Sequence, residues 1–167
     1  VTCLYHNAGV SLPVGFELIA KTEHYLDKKD GKEKRRSAKT KNEYYRDMVQ
    51  QAVRNQILFK YVLNDVWFAS ADNMKFVKNT LKKDFVMPLK ANRKLAVSSS
   101  AKQEGRYQQV ETLELEPMKP VTIFLEGVEF PLLLIKQVFA NEGGSTGILY
   151  LVTSDTTLSG DGIAAVY

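Results

Sequence analysis

The chain has 167 residues, 44% hydrophobic and 25% charged, with a formal net charge of +4; this is an ordinary composition for a soluble globular protein. That length suits one domain with a real core or two small lobes, and no apolar run approaches the roughly 20 residues needed to cross a bilayer. The single Cys3 excludes an internal disulfide and fits a reducing, cytoplasmic compartment. Two histidines and one cysteine argue against a structural zinc site.

The positive charge is local. Positions 28–41 hold eight basic and two acidic residues, so the rest of the chain is slightly acidic. The segment lacks an apolar anchor and is expected to be a mobile loop, either solvated or in contact with a nucleic-acid backbone through residues such as Lys34, Arg35, Arg36 and Lys39.

In chain order, Thr2–Asn7 and Phe16–Tyr25 read as strands joined by a turn around Gly9 and Pro13. After the basic segment, residues 42–57 read as a helix with Met48, Val49, Ala52 and Val53 as its apolar stripe. Residues 58–63 form a buried strand that delivers Asp65. Ser70 then caps a helix whose inner face is Met74, Val77 and Leu81. Residues 84–88 return as a strand that runs into the basic cluster Lys90, Arg93 and Lys94. From about Leu95 to Ala140 short apolar stretches alternate with turns, including a hairpin around Glu126 and Gly127, which marks an antiparallel β block. A buried strand, 148–153, and the start of a helix at 161–167 follow. Val1 opens in a strand-like run and Tyr167 stops in a helix-like one, so both ends are expected to be cut from a longer protein.

Asp65 stands out by position, because a carboxylate at a buried strand end costs several kcal/mol unless something pairs with it. A strand's C-terminal edge is also where α/β sheets present ligands to a site. The bland alternative is a turn or cap residue. Lys90, Arg93 and Lys94 are phosphate contacts or a solvated turn. Trp67 and Phe68 read as core packing in preference to base stacking. His6, His24 and Cys3 read as structural, and Asp155 and Asp161 as turn and cap residues.

The stretch from Tyr61 to Phe76 (an apolar strand ending in Asp65, an aromatic pair, a serine, and a helix opening Asn73-Met74) resembles the second-aspartate region of DDE transposases from bacterial insertion sequences. Gly31–Ser37 with Thr40–Glu43, Ala91-Asn92-Arg93, and Leu149–Asp155 agree in order along the chain. The pattern is similar to the insertion-sequence-four subgroup, which carries a β insertion and a Tyr-Arg-Glu-Lys signature; Tyr167 falls where that tyrosine would stand.

The resemblance implies an α/β (α+β) fold: an RNase H-like mixed sheet with flanking helices, interrupted by an antiparallel β insertion. Residues 1–94 would form part of the core, 95–145 the insertion, and 146–167 the return strand and the start of the glutamate helix. It also implies metal-dependent DNA cleavage and strand transfer at insertion-sequence ends, with DNA ends and target as partners and a homodimer in the complete complex. Two Mg²⁺ ions about 4 Å apart serve such chemistry, and Asp65 would be one of three carboxylates that hold them. Lys34, Arg35, Arg36, Lys90, Arg93, Lys94 and Tyr167 would touch DNA. The first aspartate and the glutamate fall outside these residues, so this stretch alone is expected to be inactive. Another RNase H-like nuclease, or a non-catalytic DNA-binding relic, remains the alternative.

Overall fold

The computed structural model describes residues 1–167 and divides into two compact units, Val1–Leu58 and Phe59–Tyr167. The first unit begins with an antiparallel hairpin of β1 (Thr2–Asn7) and β2 (Val10–Phe16). Ala8 and Gly9 both take positive φ, 49° and 80°, the geometry of a two-residue hairpin turn whose twist matches its strands. The second strand therefore starts earlier than the sequence suggested and includes Pro13, which sits opposite Leu4 beside a register shift at Cys3 and Leu4. A proline is tolerated at such an irregularity because no ladder donor is needed there.

The basic segment is not a loop. A second hairpin pairs β3 (Glu23–Leu26) with β4 (Glu33–Arg36) in antiparallel register. Its turn is closed by Gly31 N–H donating to the Asp27 carbonyl at 2.8 Å and Asp27 N–H donating to Lys32. Charge pairing across the hairpin takes the place of an apolar anchor. Lys34 bridges Asp27 at 2.5 Å and Asp30 at 2.9 Å, Arg36 meets Glu23 at 3.0 Å, and His24 contacts Glu33. Composition does not reveal this, because these opposite charges meet only once the hairpin forms.

Helix α1 (Lys41–Arg54) opens on a reciprocal capping box: Thr40 accepts from Glu43 N–H, and the Glu43 carboxylate accepts from Thr40 N–H. Tyr45, Val49 and Ala52, at i, i+4 and i+7, are its buried face. The helix stops short of the expected Ile57 because Gln56 turns left-handed at φ 59°.

The second unit is built on a seven-stranded mixed sheet of β5 (Tyr61–Leu63), β6 (Asp84–Leu89), β7 (Lys94–Ala96), β8 (Gln108–Gln109), β9 (Val121–Leu125), β10 (Leu132–Ala140) and β11 (Thr146–Thr153), in the spatial order β5-β6-β11-β10-β9-β7-β8. Only β5 and β6 run parallel; every other pairing is antiparallel. The parallel pair is joined through α2 (Ala71–Lys75) and a wider helical turn, Phe76–Thr80, as a parallel connection requires. Strands from the expected β insertion thus continue the same sheet. The architecture is mixed α/β with flanking helices, consistent with an RNase H-like α+β fold.

The centre of this sheet is buried on both faces, so its strands read as near-continuous apolar runs, not alternating ones. Phe85, Val86, Met87, Leu132, Leu134, Ile135, Leu151 and Val152 are fully buried. One face, Val86, Leu133, Ile135 and Leu151, packs under Ile163 of α4 (Gly160–Val166). Met74 and Val77 are fully buried and Leu81 nearly so, as the helical spacing predicts. A short helix α3 (Ser99–Gln103) is capped by Ser98. No helix is long and apolar enough to cross a membrane.

Candidate functional site

Strand β5 is short and lies at the edge of the sheet, and Asp65 stands two residues past its end, exposed. The loop that follows is tightly bonded. Asp65 Oδ1 accepts from Trp67 N–H at 2.7 Å, and the Asp65 carbonyl accepts from Phe68 N–H at 3.1 Å. The Phe68 carbonyl accepts from Ser70 N–H at 2.8 Å and from the fully buried Asn73 amide, also at 2.8 Å. Ser70 caps α2 by accepting from Asn73 N–H. The Asn73 side chain thus ties the start of α2 to the loop. The turn role weighed for Asp65 is real, but it engages one carboxylate oxygen of an exposed residue and leaves the other without a hydrogen bond from the protein.

Three further groups gather at this rim. Tyr167, at the end of α4, donates from its hydroxyl to the Asn64 carbonyl at 3.4 Å. Burial, then the negative charge of Asp65, pushes the Tyr167 phenol above its ordinary range. Lys90 follows β6, the neighbour of β5, and its ammonium lies 5.0 Å from the centre of the Trp67 ring. The Asn64 side-chain amide is buried with neither its oxygen nor its nitrogen bonded, a local cost of about 1–3 kcal/mol. Such a group calls for a specific explanation, a catalytic role among them. The structure therefore brings Asp65, Lys90 and Tyr167 together. Arg93 lies half-buried in the turn after β6, where its N–H donates to the Lys90 carbonyl at 3.0 Å, and Lys94 opens β7, exposed.

Trp67 overturns a sequence expectation. It is 75% exposed, whereas an aromatic pair after an apolar strand read as core. The neighbouring Ala69 is the buried member of this loop instead. Hydrophobicity could not reveal this, because the loop's hydrogen bonds decide which side chains point inward.

Lys34, Arg35 and Arg36 belong to the hairpin arm of the first unit. Lys34 and Arg36 are engaged in the ion pairs described above, and Arg36 also lies 5.5 Å from the Tyr25 ring centre. Arg35 is exposed and makes no ion pair.

A second polar cluster lies at the opposite end of the sheet. Val86 pairs with both Leu63 and Thr153, so chain continuing past Leu63 leaves at one end and chain past Thr153 at the other. There the buried Asp155 accepts from the Thr157 hydroxyl at 2.6 Å, the Thr157 N–H at 3.1 Å and the Tyr61 hydroxyl at 2.7 Å, with Lys60 at 3.1 Å. Asp84 is likewise engaged by Lys78 at 2.5 Å and by the Ser154 hydroxyl at 2.7 Å.

The Thr157 hydroxyl, then Tyr61 and Lys60, hold the Asp155 carboxyl well below the usual carboxylate range. A carboxyl with a depressed folded-state pKa stabilises the fold fully above its unfolded value of about 3.9, and loses that contribution as pH falls further. Urea midpoints of the wild type are therefore expected to fall below about pH 5, with a shallower fall in Asp155→Asn. Parallel pH profiles would show that Asp155 is not the titrating group.

These engagements leave Asp65 without carboxylate company. No group of three or more His, Cys, Asp or Glu side chains is placed to hold a metal ion. Divalent metals with hard oxygen ligands need more than one carboxylate oxygen to be retained, so the residues present do not by themselves fit a metal pair.

Residues 1–113 match the family model described as DDE superfamily endonuclease. Comparison with curated proteins gives no match, and neither does comparison with solved structures. The matched stretch spans well over half of the chain and contains both hairpins, α1, the Asp65 loop and the Lys90–Lys94 turn. The chain belongs to the DDE superfamily endonuclease family.

Proposed function

We propose that the chain is part of a transposase that cleaves and joins DNA at the ends of a bacterial insertion sequence, of the subgroup with a β insertion. The observation that carries this reading is the rim that joins an exposed Asp65 carboxylate to Lys90 and Tyr167, within a chain of the DDE endonuclease family. Asp65 is read as the middle member of a three-carboxylate site. Together its carboxylates hold a divalent cation, Mg²⁺ in this reading. The β strands between 95 and 145 are read as the insertion and the remainder as the RNase H-like core.

DNA is the partner. Lys90, Arg93 and Lys94 surround the exit from β6, and Arg35 on the hairpin arm presents a free guanidinium suited to a phosphate. Lys34 and Arg36 fix the arm and contribute field in addition to contact. A homodimer in the complex with both DNA ends, and action in the cytoplasm, complete the proposal. A second reading, a non-catalytic DNA-binding protein, draws on the lone carboxylate at the rim.

Metal removal separates the two. The full-length protein is expected to nick or cut DNA bearing its element ends in Mg²⁺, to stop in excess chelator, and to resume when the ion is restored. DNA binding without cleavage under any of these conditions would favour the non-catalytic reading.

A further inference from the structure

We propose that Trp67 is a stacking platform for an unpaired DNA base beside Asp65. This rests on the reading that the Asp65 rim handles DNA. The indole is 75% exposed, yet it is not on a loose loop. Its own N–H is bonded to Asp65 Oδ1 at 2.7 Å, and the next residue is held through both its N–H and its carbonyl. The platform and the carboxylate are therefore fixed to each other within two residues of backbone.

The Lys90 ammonium, 5.0 Å from the ring centre, makes a cation–π contact on the indole and leaves the rest of the exposed ring open. A base offers a π-face to such a ring, and the phosphate linked to that base needs a cation close by. Exposed aromatics interleaved with basic groups are how proteins hold single-stranded nucleic acid without reading its sequence. A base stacked inside a duplex cannot reach the indole, so the ligand is a base that is frayed, unpaired or turned out of the helix. Tyr167, also at the rim, is bonded to Asn64 through its hydroxyl, which leaves Trp67 as the free aromatic surface.

The test measures the affinity of the full-length protein for two labelled oligonucleotide duplexes, one fully paired and one with a single unpaired base, by fluorescence anisotropy. Wild type, Trp67→Ala, Trp67→Phe and Asp65→Asn are compared. Trp67→Ala is expected to weaken binding to the unpaired-base duplex by roughly 5- to 150-fold, and to the paired duplex by less than about twofold. Trp67→Phe keeps a ring and is expected to fall between. Asp65→Asn keeps the preference for the unpaired base, so loss of cleavage and loss of stacking can be told apart.

Equal effects of Trp67→Ala on both duplexes would overturn the stacking role while leaving DNA binding in place. Wild-type protein that binds neither duplex would overturn the DNA reading and the platform together. Sedimentation that shows the wild type self-associated and Trp67→Ala monomeric, with unchanged DNA affinities, would overturn the proposal by making the indole a contact between copies of the chain.

Discussion

Gly160→Ala is expected to destabilise the second unit by about 3 kcal/mol or more, at the upper end of what overpacking costs. Gly160 is buried at the first position of α4. A Cβ there would lie 1.7 Å from the Met118 carbonyl oxygen and 2.8 Å from its carbon. The obstacle is backbone and cannot rotate away. Met118 is itself pinned, with φ at 62° and its N–H donating to the Lys136 carbonyl at 2.9 Å.

Relief therefore has to come from α4, and moving α4 uncovers Ile163 from Val86, Leu133, Ile135 and Leu151. It also draws Tyr167 away from Asn64. Thermal unfolding should fall by roughly 10 °C. Gly162→Ala serves as the control, because its Cβ meets only the side chains of Ser159 and Leu158, at 3.3 Å and beyond. That variant should stay within about 1 kcal/mol of the parent, helped by the better helix propensity of alanine. Equal melting temperatures for the two variants would show that α4 is not seated as described.

Gly160 illustrates what a linear pattern conceals. Its constraint comes from a carbonyl far back in the chain, and in the sequence it reads as the end of a turn. The elements that were legible carry their signal locally. Helix α1 shows both its apolar spacing and its capping box, and β6, the first half of β10 and the second half of β11 show apolar runs because both of their faces are covered there. The hairpin β9–β10 was visible from its turn.

The hairpin arm was not legible, since its second strand, Glu33–Arg36, is wholly charged and is held by ion pairs of Lys34 and Arg36 with their acidic partners. Asp65 could be singled out because a charged residue at the end of an apolar run is conspicuous. The same argument applied to Asp155 gave only a turn, and it missed the Tyr61 hydroxyl that reaches it from 94 residues away. Trp67 was misplaced because composition suggests burial, while three-dimensional hydrogen bonding sets exposure.

Asp65→Asn in the full-length protein is expected to lower strand cleavage by about a thousandfold or more while end binding changes little. The substitution keeps size and shape. Its amide oxygen can still accept from Trp67 N–H, so the loop should hold. What disappears is the negative charge of the exposed carboxylate. If Asp65 ligates a divalent cation, as proposed above, phosphoryl transfer would draw several kcal/mol from that ligation, and about 4 kcal/mol corresponds to a thousandfold in rate. Binding to DNA should survive because the basic groups proposed to meet phosphates are untouched, and removing an anion near the backbone slightly favours it.

The central claim is that the rim around Asp65 is where DNA is cut, and single-turnover cleavage of a labelled element-end duplex tests it most directly. Wild type and Asp65→Asn are compared at saturating protein, with occupancy measured on the same substrate. The account predicts equal occupancy and a rate reduced by about three orders of magnitude or more; cleavage by Asp65→Asn at the wild-type rate would contradict it.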